Sequence, residues 1–376
     1  MNRIVALTIG LFIAFYAGES SARQKKADIS TALSSKIGAA LKEVVHREKI
    51  PGIIAGITSS DGLLAVSSEG VRKIGSHEKI TNHDLIHLGS CTKAMTSAML
   101  ATLVSEGLLK WDTLLIQVLP ELKKDVHANY HSITLWQLLT HRSRVPANAE
   151  NWWKYRNLEL KERRIEIIRE NLKAAPKVGL GAYNYSNLGY MIAGCMAEKV
   201  TGQTWESLMQ KRIFSPLDMK TAGFGPPGAL GKIMQPWGHR RIEREWKPRQ
   251  FDNAEALGPA GRVHCSVSDW AKFLSLHLSN SNKDLLSKKL LQKIVTPTGQ
   301  YAGGWVIVER NWGKGIVLTH NGSNTMWYAV VWVAPKLDRT FIVATNSKDE
   351  KSRNICDKLI GELIKIDRDQ RATKED

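Results

Sequence analysis

Strand-like patterns occupy the two ends of this chain and leave a long helical middle. Residues 52–58 and 63–67 are two runs of strand formers on either side of Ser60-Asp61-Gly62, which predicts a hairpin. Four further runs, 304–309, 315–319, 327–333 and 339–345, are separated by short turns. Strands joined so tightly pair antiparallel. Both ends then belong to one sheet, and the middle must leave it and return. The expected fold is α/β: an antiparallel sheet flanked by helices, with an inserted helical sub-domain and a site at the junction. Residues 28–110 and 258–376 would form the α/β part, and 111–257 the insert.

Helical period and end signals fill in the rest. Helices are expected at 34–48, at 91–106 (stopped by Gly107), at 158–174, at 187–200 (stopped by Thr201-Gly202) and at 205–212. Thr134 and Gln137 form a capping box ahead of a helix over 135–140, and Ser266 caps another that reaches His277. A last amphipathic helix covers 353–366. Residues 223–260 are rich in Gly and Pro without a period, and read as loop.

The first residues bear on location. Met-Asn-Arg3 precedes an apolar run over 4–17, and Ser20 and Ala22 fit the −3 and −1 positions of a cleavage site. The run is short of the roughly 20 residues of a bilayer span, so 1–22 is expected to be a signal peptide for export to the periplasm or beyond. Arg3 and Glu19 cancel, so the formal charge of +17 survives cleavage. Such a charge favours weak attraction to anionic envelope polymers. The basic residues are scattered, with no zinc-finger spacing and no RNA-binding motif, so nucleic acid is not an expected partner. Export permits disulfides, and Cys91, Cys195, Cys265 and Cys356 allow three full pairings. Cys91 and Cys195 fall in apolar helical patterns and read as free buried thiols.

Three short motifs carry chemistry. In Ser90-Cys-Thr-Lys93 the two ends lie on one helix face, so the Lys93 amine can reach the Ser90 hydroxyl at the helix start. A half-buried lysine loses its proton readily and can act as a base. Tyr185-Ser-Asn187 offers a proton shuttle and an amide. His320-Asn-Gly322 ends a predicted strand, and its glycine admits close approach of a substrate to the backbone. Each motif has a chance copy in the same chain: Ser76–Lys79 in a polar turn, Tyr155–Asn157, and His87–Gly89. The order and context of the three decide, not any one alone.

That set resembles the serine β-lactamase and penicillin-binding superfamily, nearest to class C β-lactamases, DD-peptidases and related esterases. The similarity runs from about Lys36 to Leu363 and includes Leu138-Leu-Thr-His141, Pro259-Ala-Gly261 and His320-Asn-Gly-Ser-Asn324. It implies a serine hydrolase acting on an ester or amide, possibly D-amino-acid-linked, from a small molecule or the cell envelope. Ser90 would be acylated, with Lys93 and Tyr185 sharing the acid and base work. Asn187 would orient the acyl group. The amides of Ser90 and Ser323 would form the oxyanion hole, and His320 would bind or polarise the substrate beside Gly322. Three departures stand out: His320 where most relatives have lysine, Asn321 where β-lactamases have Thr or Ser, and Arg144 where relatives have glycine. The first two argue against strong β-lactamase activity. DD-carboxypeptidase, true β-lactamase and a non-catalytic binding or regulatory protein are the alternatives. No GxSxG elbow, HExxH or nucleotide-binding glycine pattern appears, so no cofactor and no metal is expected; His127 and His131 have only helical spacing in their favour. Trp327, close after His320, is a candidate for the cleft wall.

Overall fold

The structure, a computed structural model, describes residues 30–279 and 285–373. The proposed signal segment 1–22 lies outside them. Helix α1 (30–48) leads into β1 (Gly52–Ser59), which turns back along β2 (Gly62–Gly70). β3 (Ile86–His87) delivers the chain to a 3₁₀ turn (Gly89–Cys91) and α2 (Thr92–Ser105). The helices α3 (Leu115–Val118), α4 (Leu135–Leu139), α5 (Leu160–Asn171), α6 (Asn187–Thr201) and α7 (Trp205–Met209) follow. Next come β4 (Gly223–Phe224), β5 (Gly238–Ile242), β6 (Glu245–Arg249), α8 (Gly258–Gly261), β7 (Val263–Cys265), α9 (Val267–Leu274) and α10 (Lys288–Val295). The chain ends on β8 (Val306–Arg310), β9 (Gly315–Ser323), β10 (Tyr328–Ala334), β11 (Arg339–Thr345), β12 (Ser347–Lys348) and α11 (Ser352–Ala372).

Both ends of the chain do meet in one sheet, with strand order β2-β1-β11-β10-β9-β8 and every pair antiparallel. Side-chain alternation sorts its two faces. Ile53, Ala55 and Ile57 of β1 join Val330, Phe341 and Val343 against α1 and α11, burying Ile37, Leu41, Ile355 and Leu359. Ile54, Val331, Val333 and Ile342 face the other way, into the large core under α2 and the helical insert. A one-residue slip would exchange these sets, so apolar burial pins the register. α2 runs through that second core with twelve buried residues from Thr92 to Leu103, which is why it shows no polar face.

Three expectations are amended. The stretch 223–260 is not plain loop: β5 and β6 form a hairpin, with Ile242 opposite Glu245 and Glu243-Arg244 as the two-residue turn. Those residues hold φ of 49° and 70°, positions where Asn-Gly would have announced the turn. Strand β9 also runs on through Ser323 instead of stopping at Thr319, because β10 pairs with it as far as Tyr328↔Ser323. The third motif is therefore strand, not turn. Trp327 is buried against Gly238 of β5 and does not line the cleft.

Candidate active site

Ser90 sits in the 3₁₀ turn and Lys93 in the first turn of α2. The Lys93 side chain is fully buried. Its Nζ lies 3.2 Å from Ser90 Oγ, 2.7 Å from Asn187 Oδ1 and 2.7 Å from the Ala260 carbonyl oxygen. Burial holds its pKa well below the ordinary lysine value, against the pull of the nearby Cys91 sulfur. A neutral amine has two N–H bonds and one lone pair. The Asn187 and Ala260 oxygens can only accept, so they take both N–H bonds. The lone pair is left for the Ser90 hydroxyl, the arrangement a general base needs.

Tyr185 stands at the other side of Ser90. The loop that carries it is tied down at its end: His141 Nδ1 accepts from Ser186 N at 3.0 Å, and Ser186 Oγ caps α6 by accepting from Gly189 N at 2.8 Å. Lys93 Nζ is 4.9 Å from the centre of the Tyr185 ring. Burial pushes the phenol's pKa well above its usual value, although a hydrogen bond with Ser90 works the other way. Tyr185 therefore keeps its proton and can donate it, while Lys93 can accept one. Asn187 spends its carbonyl on Lys93 and one amide hydrogen on Asn148 Oδ1 at 2.8 Å, leaving one for a ligand.

Two glycines let strand β9 lie against the Ser90 turn. A methyl group on Gly89, which has φ of 50°, would stand 2.2 Å from Ser323 N. One on Gly322 would stand 2.0 Å from the Leu88 carbonyl oxygen and 2.5 Å from Ser90 N. Only bare backbone fits at either position, and this contact brings the Ser323 amide against the turn that carries the Ser90 amide.

His320 departs from its expected role. Its Nδ1 is 2.6 Å from the Asn321 carbonyl oxygen, which can only accept, so Nδ1 carries the proton. Nε2, 2.9 Å from the Tyr301 hydroxyl, then accepts from it. Both ring nitrogens are committed within the protein, and none is left to bind or polarise a substrate. Burial lowers the His320 pKa to about 3, so the ring is neutral.

Ser90 and Ser323 separate two cavities. One, of about 310 Å³, is walled by Asn148, Trp152, Trp153, Asn187, Phe251 and Leu257. The other, of about 320 Å³, is walled by Tyr183, Tyr185, Tyr301, Val306, His320 and Asn321. Neither wall holds a lysine or arginine. A larger groove of about 580 Å³ lies between α1 and α11 and includes none of the three motifs. The chance copies fall elsewhere or turn inward. Ser76 lies in a bend with no helix behind it, Tyr155 takes φ of 62°, and His87 is buried against Asp252. Arg144 holds φ of 56° in its turn, the conformation that glycine would take without strain. His127 Nδ1 accepts from Asn129 N, and the His131 ring meets the Val126 carbonyl; among the described residues no group of three or more His, Cys, Asp or Glu could hold a metal.

The sequence profile of the Beta-lactamase family matches residues 37–365. The chain belongs to the beta-lactamase family. It is 24% identical over 328 residues to Penicillin-binding protein 4 of Amycolatopsis lactamdurans, covering 81% of this chain and 84% of that one. It is 24% identical over 312 residues to the D-alanyl-D-alanine-carboxypeptidase/endopeptidase AmpH of Escherichia coli (strain K12), covering 77% and 78%. The class C beta lactamase from Rhodobacter sphaeroides shares the fold, with a TM-score of 0.72 and 18% identity over 88% of this chain and 99% of that chain. The beta-lactamase family is one of serine hydrolases, and all three motifs read from this member's sequence gather around one cleft. Sequence reasoning missed Tyr301, Tyr183, Asn148, Phe251 and Asp252. Tyr183 shares parity with Tyr185 two residues on, which was a usable signal. The others reach the cleft only through the fold.

Proposed function

We propose that this chain is an exported serine hydrolase that cleaves neutral esters or amides through an acyl-Ser90 intermediate. Lys93 takes the hydroxyl proton as Ser90 Oγ attacks the carbonyl carbon. The amides of Ser90 and Ser323 hold the oxyanion. As the carbonyl re-forms, the bond to the leaving oxygen or nitrogen breaks, Tyr185 gives that atom its own proton, and the proton held by Lys93 moves to Tyr185, so that both groups are reset. Water then attacks the acyl carbon by the same path, restoring Ser90.

The observation that carries the substrate class is the state of the tyrosine-walled cavity. Among the described residues its walls hold no lysine or arginine, and its histidine is neutral with both nitrogens used. A carboxylate, such as that of a β-lactam or of a peptide ending in D-alanine, would lose its water there without gaining a counter-charge. A neutral leaving group loses little. A purely binding role is disfavoured because it has no use for a buried lysine whose amine meets the uncharged oxygens of Ser90, Asn187 and Ala260. The test is a comparison of kcat/KM on nitrophenyl butyrate and a chromogenic cephalosporin, beside intact-mass labelling by a fluorophosphonate. The ester should be preferred and Ser90 labelled; a preference for the cephalosporin would overturn the substrate class. Export is supported by the pattern of residues 1–22, and N-terminal sequencing of the mature form should begin at Arg23. Full-length protein retained in the cytoplasm would refute it.

A further inference from the structure

Asp252 is a buried carboxylate, 5% exposed, beside the aromatic-walled cavity. It accepts hydrogen bonds from His87 Nε2 at 3.0 Å, Arg262 Nε at 3.1 Å, Asn324 Nδ2 at 3.0 Å and Asn253 N at 2.7 Å. Two of these partners pass the constraint onward. His87 Nδ1 accepts from Gly89 N at 3.1 Å, so the ring proton sits on Nε2 and points at Asp252. Asn324 Oδ1 accepts from Met326 N at 3.2 Å and Trp327 N at 3.0 Å, so its amide end faces Asp252. Gly89 precedes Ser90, and Asn324 follows Ser323. One carboxylate thus tethers the neighbours of both amides assigned to the oxyanion hole, through partners far apart in the chain.

We infer that Asp252 is a positioning residue that sets how the Ser90 and Ser323 amides face each other, and so governs stabilisation of the tetrahedral oxyanion. The inference rests on acyl transfer at Ser90. Burial alone would raise the Asp252 pKa, but His87, Arg262 and Asn324 outweigh it and keep the carboxylate ionised. An asparagine in its place has the same shape but only one accepting oxygen, and turns N–H bonds toward donors. If His87 moved its proton to Nδ1 to accommodate it, that N–H would oppose the Gly89 N–H. Either the Gly89 tether or the Asn324 tether must loosen.

The experiment compares wild type with Asp252→Asn in four measurements: thermal melting, fluorophosphonate labelling of Ser90, kcat and KM on nitrophenyl butyrate, and inhibition by a phenylboronic acid, which forms a tetrahedral adduct with serine. The variant should label to completion and lose about 10–100-fold in kcat, less than outright removal of an oxyanion donor. KM should stay nearly constant, and the boronic acid should weaken by the same factor as kcat, because only the tetrahedral state uses the aligned amides. A merely structural role would lower the melting temperature without that match. If Asp252→Asn does not fold, Asn324→Ala cuts one tether alone and should lower kcat and boronic acid affinity together by a smaller factor. A folded variant of either kind with wild-type kcat and boronic acid affinity overturns the positioning role and leaves the hydrolase standing. Wild type that takes no label at Ser90 overturns the hydrolase, and the inference with it.

Discussion

Lys93→Met removes the proposed base while nearly preserving the side chain's length. Loss of a general base typically costs about 10²–10⁴-fold. The structure selects the upper part of that range, because no neighbour can take over. Tyr185 holds its proton. His320 Nε2 already accepts from Tyr301, and burial lowers its pKa to about 3. His141 Nδ1 already accepts from Ser186 N, and burial lowers its pKa to about 2. Acylation should therefore slow by about 10³–10⁴-fold, or roughly 4–5.5 kcal/mol of barrier. Single-turnover release of nitrophenol from nitrophenyl butyrate in a stopped-flow instrument reads this step directly. The pH profile is a second reading of the same geometry. The unprotonated amine is the active form, so the wild-type rate should rise through a Lys93 pKa held well below its ordinary value and then level off. In Lys93→Met, where that titration is gone, no inflection should remain near the ordinary histidine value of about 6.5. A Lys93→Met enzyme that keeps more than about a tenth of the acylation rate would refute the assignment, since that is less than the smallest loss usual for a base. A histidine-like inflection in Lys93→Met would refute the neutral, locked His320.

The same substitution has a signature in stability. The folded-state pKa of Lys93 is depressed, so between it and the unfolded value the unfolded chain binds one more proton, and stability rises with pH. Urea unfolding as the pH rises toward about 9.5 should show wild type gaining on Lys93→Met by up to about 1.4 kcal/mol per pH unit, and a difference that does not change with pH would mean a lysine charged in the fold. The four cysteines are free and buried, and burial raises each thiol's pKa. Ellman's reagent should therefore leave native protein unlabelled for minutes and titrate four thiols in denaturant, and any protection remaining in denaturant without reductant would reveal a disulfide.

What was legible in the sequence is what short-range physics writes there. The nearly continuous apolar runs of β1, β10 and β11 follow from one face packing on α1 and α11 and the other on α2, so those strands could be found. Ser186 and Thr134 cap helices because their hydroxyls reach a backbone N–H three residues on. Ser90 and Lys93 meet because positions three apart share a helix face. The β5–β6 hairpin escaped because its turn uses Glu243-Arg244. It is held instead from outside, by the parallel pairing of Ser347 with His239 and by His239 Nδ1 on the Asn346 carbonyl.

The sequence by itself therefore determined the sheet built from both chain ends, the helix that presents Ser90, and the three motifs that meet at the cleft. The tertiary structure alone decided what state those groups are in. The Lys93 amine is oriented by Asn187 and Ala260, 94 and 167 positions away, and burial lowers its pKa. His320 is withdrawn from the substrate because Tyr301 and the Asn321 carbonyl use both its nitrogens. Protonation and donor direction depend on burial and on partners brought from distant parts of the chain, and contacts of that range leave no spacing in a sequence to read.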